Sequence, residues 1–325
     1  MQPGEEIILY QPGSYIVDNN GNVYIGDRSD NIIKVFDSNG QFIRSFGRQG
    51  EGPGEFQTMG RMAILPDKRL LVMDWRNRRT SFFGLSGNFL NSYQWRNSHF
   101  SLFFVTDSSY TVEENLYGEE RKLLVKTYGF KGDEIVSFGE FTPAESKTLR
   151  TDDIIFSITL PYPPESIFTG DSQNHWLYHC YNNIYLIEVY NSDGKLFRKI
   201  DRPYQAVPYT DTDKEEYIQR FSRRDDDPIF AKMAKDVDFP EVKTISERMV
   251  VDEQSNLWLQ TNEEKVVDGK TFTTYDIFNK DGYYETKIWS DITPGLFANG
   301  KMYSMKTDEK TGLRVLKRYG IVWEE

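Results

Sequence analysis

The chain has 325 residues and a formal net charge of -11, so most of its surface repels a polyanion, and tight nucleic-acid binding, which needs a basic face, is not expected. Its single cysteine, Cys180, excludes an intrachain disulfide, and no apolar run approaches the roughly 20 residues that span a bilayer. Aromatic residues make up 15% of the chain, with 20 Tyr, 22 Phe and 6 Trp, a richness that favours pleated, half-buried surfaces.

The first residues, Met1-Gln2-Pro3-Gly4-Glu5-Glu6, lack the basic and apolar regions of a signal peptide. The expected location is the periplasm or cell surface if a signal has been removed, and otherwise the cytoplasm. From Tyr15 to Asp27 an apolar strand enters the turn Asp18-Asn19-Asn20-Gly21, and a second strand follows. Asp and Asn bond the backbone two residues on and Gly supplies positive φ, so this reads as a hairpin. A third strand at 32–36, the turn Asp37-Ser38-Asn39-Gly40 and a fourth strand at 42–46 complete one propeller blade.

The unit recurs with second-strand positions at Tyr24, Leu71, Thr111, Trp176, Trp258 and Tyr303, spaced 47, 40, 65, 82 and 45 residues apart by subtraction. The short spacings suit a four-stranded blade. The long ones imply insertions after copies three and four. The expected fold is therefore all-β: one six-bladed propeller domain over residues 1–325, with a short helical insertion at 208–243 between blades four and five. Copy six runs out after its third strand, near Tyr319. Since ring closure removes exposed sheet edges, the N-terminal strand Glu6–Tyr10 is expected to complete it.

The stretch 33–56, ending Gly50-Glu51-Gly52-Pro53-Gly54-Glu55-Phe56, closely resembles the NHL repeat, which runs strand, Asp-x-x-Gly turn, strand and a Gly-rich loop closing on Pro-Gly-x-Phe. The looser repeats, with Asn-Leu-Trp strands and long inserts, resemble the six-bladed propeller proteins of the bacterial envelope. That resemblance implies a cell-envelope location and lipoprotein export in many members. No credible catalytic constellation appears in the sequence, so a non-catalytic binding or scaffold role is expected. Its ligand class stays open among a protein, a small molecule and a glycan.

Each candidate site has a plainer reading beside it. The Gly50–Gly54 loop is expected to be an interblade crossover rather than a phosphate loop, because Pro53 removes a donor, Glu51 and Glu55 add negative charge, and no helix pattern follows. Arg76-Asn77-Arg78-Arg79 reads as the solvated start of a strand, and Cys180 as a buried, inert thiol. His175 and His179, four apart on a predicted strand, would lie about 13 Å apart, too far to share one metal, and a core or rim role is expected for them and for His99. Six-bladed lactonases of the regucalcin and gluconolactonase group bind calcium through carboxylates and amides at the channel. Resemblance to them would nominate Asp27, Asp74, Asn115 and Asn262 as a metal set in a hydrolase or lyase. Turn capping is the preferred reading, and no cofactor is expected. Carbohydrate binding through exposed rings at Trp75, Trp95 and Tyr181 is a third reading. In the insertion, Thr212-Asp213-Lys214-Glu215 reads as a capping box, and Tyr217, Ile218 and Phe221 share one helical face. A second helix is expected over 229–235. Arg220, Arg223 and Arg224 would then border the binding face.

Overall fold

The computed structural model describes residues 9–116, 121–150, 155–222 and 228–322. β1 (Pro12–Val17), β2 (Val23–Asp27), β3 (Ile32–Phe36) and β4 (Phe42–Phe46) pair antiparallel in that order as the first blade. The second holds β5 (Met59–Ile64), β6 (Arg69–Asp74), β7 (Arg79–Gly84) and β8 (Phe89–Gln94). The third holds β9 (Ser98–Val105), β10 (Ser109–Leu116), β11 (Lys122–Gly129) and β12 (Glu134–Phe141). A separate hairpin, β13 (Ser146–Arg150) and β14 (Ile155–Thr159), precedes the fourth blade: β15 (Ser166–Asp171), β16 (Trp176–Tyr181), β17 (Leu186–Tyr190) and β18 (Leu196–Asp201). Helices α1 (Asp211–Ser222) and α2 (Pro228–Lys235) lead to the fifth: β19 (Arg248–Val251), β20 (Leu257–Val267), β21 (Lys270–Phe278) and β22 (Tyr284–Ser290). The last sheet has β23 (Leu296–Ala298), β24 (Lys301–Thr307) and β25 (Arg314–Gly320). The expected six-bladed propeller is what the chain forms, and the two long repeat spacings are explained by the hairpin and the helix pair.

The turns repeat because one bonding pattern repeats. Asp18 Oδ1 accepts the amides of Asn20 and Asn22 at 2.9 and 2.8 Å. Asp37, Asn191, Asp252 and Asn279 each accept the amides two and four residues on in the same way. Gly40 and Gly282 close their turns at φ of +81° and +83°, where a side chain would be strained.

Apolar side chains fill the spaces between successive blades. Tyr24, Val35, Phe56, Leu70 and Phe83 join the first to the second. Leu71, Phe82, Trp95, Tyr110 and Tyr128 join the second to the third. Further clusters join three to four, four to five and five to six. Cys180 is buried in the fourth of these, and burial pushes its thiol up to about 12, so it is a poor nucleophile.

The junction of the last blade with the first is held by polar contacts. Tyr15 Oη donates to the Tyr303 carbonyl at 3.4 Å, Asn299 Nδ2 to Asp18 O at 2.8 Å, and Arg318 Nη1 to Ser38 O at 2.7 Å. Beside them lies a cavity of 520 Å³ lined by Leu9, Val23, Ile25, Phe36, Val315 and Leu316, among others. The closing strand expected from Glu6–Tyr10 lies, save for its last two residues, outside the described residues. Deleting residues 1–11 is expected to lower the melting temperature of the whole protein, since it removes the Tyr10 and Gln11 amides from the Asp27 carboxylate (3.0 and 2.9 Å) and leaves the β25 edge open. A calorimetric scan of the truncation decides it, and an unchanged melting temperature would defeat the closure.

Candidate functional site

The first strand of each sheet lies innermost, with β1 beside β5, β5 beside β9, β9 beside β15, and β15 beside β19. The central channel runs between them. Every crossover from an outer strand to the next inner strand therefore reaches the end of the channel where the inner strands begin. Second strands finish at that same end, as the pairing of Pro12 with Asp27 and of Met59 with Asp74 shows.

Two of those crossovers build a cap. Tyr217, Met233, Ala234 and Val237 of the helical insertion bury themselves against Ile158 of the β13–β14 hairpin, with Ile218, Phe221 and Leu160 packed around them. Tyr217 Oη also donates to the Thr159 carbonyl at 2.9 Å. The capping box sits two residues earlier than the sequence reading placed it. Thr210 Oγ1 accepts the Asp213 amide at 3.2 Å and Asp213 Oδ2 accepts the Thr210 amide at 2.9 Å. Lys243 Nζ, 2.6 Å from Asp213 Oδ1, fixes that carboxylate and so selects the earlier register.

Between cap and propeller lies a cavity of 710 Å³, lined by Tyr162, Glu165, Asp213, Tyr217, Arg220 and Glu247, among others. Glu165 and Glu247 immediately precede β15 and β19, so this cavity stands at the channel mouth. Both carboxyls lie above the usual carboxylate range. Burial is the main cause for each, reinforced at Glu165 by Glu247 and at Glu247 by Glu264. Arg220, exposed on α1, acts on Glu247 in the opposite direction. Arg223 and Arg224 lie outside the described residues.

Deeper along the wall stands a group that sequence reasoning missed. Arg61 on β5, Arg248 at the start of β19 and Arg314 at the start of β25 all lie within electrostatic reach of Tyr15 on the innermost strand β1, and Arg28 lies within reach of Arg61 and Arg314. Arg28 Nε donates to Met59 O at 3.0 Å while its guanidinium covers the Trp75 ring at 4.8 Å. Arg314 Nη1 reaches Pro12 O at 3.5 Å. Burial depresses both Arg28 and Arg61. Arg61 and Arg314 add to the effect at Arg28, and Arg248 adds to it at Arg61. Across the channel Glu113 accepts from Ser101 Oγ and Asn115 Nδ2. No local motif announces this set, because each member comes from a different blade. The one signal was positional: a charged residue at or just before the start of an inner strand, in Gly60-Arg61 and Glu247-Arg248.

The other nominated residues are placed as follows. Asp27 accepts from Lys34, Ser29 and two crossover amides, and those bonds hold it down to about 2 despite burial. Asp74 accepts the Gln57 and Thr58 amides, both at 3.1 Å. Asn262 Nδ2 donates to Thr244 O at 2.6 Å, and Asn115 Oδ1 accepts from Arg121 Nε at 3.0 Å. Asn182, not nominated, braces Glu165 by accepting its amide at 2.8 Å. Asp27, Asp74, Asn182 and Asn262 thus tie crossovers to the ends of second strands. Among the described residues no three His, Cys, Asp or Glu side chains are placed to hold a metal ion.

Trp75 and Tyr181 are both half-buried at the channel end of their blades. Trp95 is buried rather than exposed: it is 7% exposed, its indole donates to Thr80 Oγ1, and it stacks on His99. His175 sits in a turn at φ 53° rather than on the strand, so only His179 lies on β16. There it bonds Ser166 Oγ and Glu188, and burial depresses it. Arg79 is buried rather than solvated, and its guanidinium grips the Gly-rich crossover at the carbonyls of Glu51, Gly52 and Glu55.

The DUF5128 family model, described as 6-bladed beta-propeller, matches residues 5–191, more than half of the chain. No curated protein matches the sequence. Among solved structures, a member of the DUF4221 family from Bacteroides vulgatus superposes over 98% of this chain and 95% of its own, with TM-score 0.54 and 10% identity. A Bacteroides fragilis protein inferred to be exported covers 94% of this chain and 82% of its own, with TM-score 0.50 and 11% identity. A protein of unknown function from Bacteroides thetaiotaomicron covers 97% and 70%, with TM-score 0.51 and 10% identity. At such identities the likeness is one of fold alone.

Proposed function

Because the chain belongs to the DUF5128 family of 6-bladed beta-propellers, we propose that it is a non-catalytic binding propeller of the bacterial cell envelope, holding its ligand at the channel face beneath the helical cap. The observation that carries this reading is the 710 Å³ cavity between cap and channel mouth, built from two insertions that a bare propeller does not need. Long structured insertions in compact domains commonly form lids and binding loops. The envelope location follows the resemblance to exported propellers.

Tyr217 and Phe221 hold α1 down on the hairpin, and Arg220 looks into the cavity with Glu165 and Glu247. Arg223 and Arg224, the next arginines in the sequence, belong to the same proposal, and Trp75 and Tyr181 lie on the same face. The variant with Arg220, Arg223 and Arg224 all changed to Ala is expected to melt like the parent. It should retain less of the small molecules that mass spectrometry finds on the parent after equilibration with native extract. Equal retention by the folded variant would leave the insertion as packing.

A second reading, a hydrolase or lyase, draws on the raised carboxyls of Glu165 and Glu247, since perturbed carboxyls in a cavity suit acid–base chemistry. Loss of a turnover, with ligand retention kept, in Glu165→Gln and Glu247→Gln would favour it.

A further inference from the structure

The feature of the channel that calls for a ligand is that four arginines gather there. The chain carries 50 Asp and Glu against 39 Lys and Arg, so carboxylates are in surplus. Some lysines and arginines elsewhere pair with them. Lys34 holds Asp27, Arg48 holds Glu55, Arg202 holds Asp276 and Lys243 holds Asp213. Yet Arg28, Arg61, Arg248 and Arg314 form no ion pair with any described carboxylate. They come from blades one, two, five and six, and they meet at one end of the channel. Arg28 and Arg314 bond a single carbonyl each, Met59 O and Pro12 O.

Collecting like charges in a partly desolvated channel is unfavourable unless something of opposite sign answers them. Burial and the neighbouring guanidinium groups depress Arg28 and Arg61, although both side chains stay open to solvent. The charges of Arg248, Arg314 and Arg61 all reach the Tyr15 phenol. Glu113 attracts Arg61 without forming an ion pair with it, and its oxygens already accept from Ser101 and Asn115. The donors are also preorganised. Arg28 is pinned between Trp75 and the Met59 carbonyl, and Tyr15 Oη is anchored on Tyr303 O.

We propose that the channel end bounded by Arg28, Arg61, Arg248, Arg314 and Tyr15 is an oxyanion site, which binds the carboxylate or phosphate group of a small ligand. Guanidinium groups present planar forks of donors that match such groups, and charge-assisted bonds of this kind are the strong ones. The net negative surface screens out large polyanions, while the local field of the arginines draws a small anion inward. This inference rests on the channel face being the binding face and names what that face recognises.

Isothermal titration of the full chain with inorganic phosphate, with galacturonate, and with galactose at constant ionic strength tests it. At least one anion is expected to bind saturably, and galactose is not. Phosphate alone would assign a phosphorylated ligand, galacturonate alone a carboxylate, and both a general oxyanion site. The double variant Arg61→Gln, Arg248→Gln is expected to bind at least about tenfold more weakly, while Arg76→Gln, an exposed loop residue, binds like the parent. If the double variant does not fold, Arg314→Gln carries the test, with an expected loss of about threefold or more. No binding of either anion, or unchanged affinity in the folded variant, overturns the proposal. Failure of the extract experiment on α1 would concern the cap alone, because the phosphate titration reads only the channel.

Discussion

Arg79→Ala is expected to lower stability by about 3 kcal/mol or more, because it strips three carbonyls of a charged donor at once. Arg79 is 6% exposed, and its Nη1 and Nη2 donate to Glu51 O, Gly52 O and Glu55 O at 2.8, 2.8 and 2.7 Å. The crossover it grips ends in Phe56, which is fully buried between the first two blades. Gly47, at φ +87°, lies under the Phe56 ring with no room for a side chain. Loosening the loop therefore loosens the junction. In a protein of this size the loss corresponds to a fall in melting temperature on the order of 5 °C. Arg76→Ala, three residues away and exposed, is expected to change stability by less than about 0.5 kcal/mol. Equal effects from the two substitutions would show that the clamp contributes nothing.

Acid is expected to weaken the protein before its carboxylates titrate, and His99 is the reason. Its ring lies between Trp95 and Tyr128 at 4.7 and 4.8 Å, and its buried Nδ1 has no hydrogen-bond partner. Burial, helped by Lys126, holds it down to about 3 from an ordinary 6.5. Its folded-state value is depressed, so between those limits the unfolded chain binds the extra proton. The stabilisation is complete above pH 6.5 and is lost progressively as pH falls toward 3. From pH 6.5 to 4.5 the loss amounts to roughly 2–3 kcal/mol. His179, also depressed, adds in the same direction, whereas Glu165 and Glu247, raised, oppose it. The difference between parent and variant isolates His99. His99→Phe keeps a ring in the stack and is expected to show the shallower slope in urea unfolding over that range. Identical slopes would refute the assignment.

The fold was legible because its turns are local. An Asp or Asn that accepts amides two and four residues on needs only a few residues of sequence to be recognised, and Asp18, Asp37, Asp252 and Asn279 all do so in the structure. The helical insertion was legible for the same reason, although a distant lysine, Lys243, shifted its cap by two residues. The rest depended on the ring. Arg79 and Trp95 read as surface residues because the groups that bury them lie a blade or a long loop away. The four channel arginines carried no local motif, since blades one, two, five and six bring them together only when the ring is formed.

The central claim is that a ligand binds at the channel face and that channel arginines receive it. A crystal structure of the full chain grown with inorganic phosphate tests this most directly. The account predicts one anion in the channel within hydrogen-bond distance of Arg61 and Arg248, beneath a cap whose Arg220 still faces the cavity. Arginines paired with Glu113, Glu165 or Glu247 and a channel without the anion would contradict it.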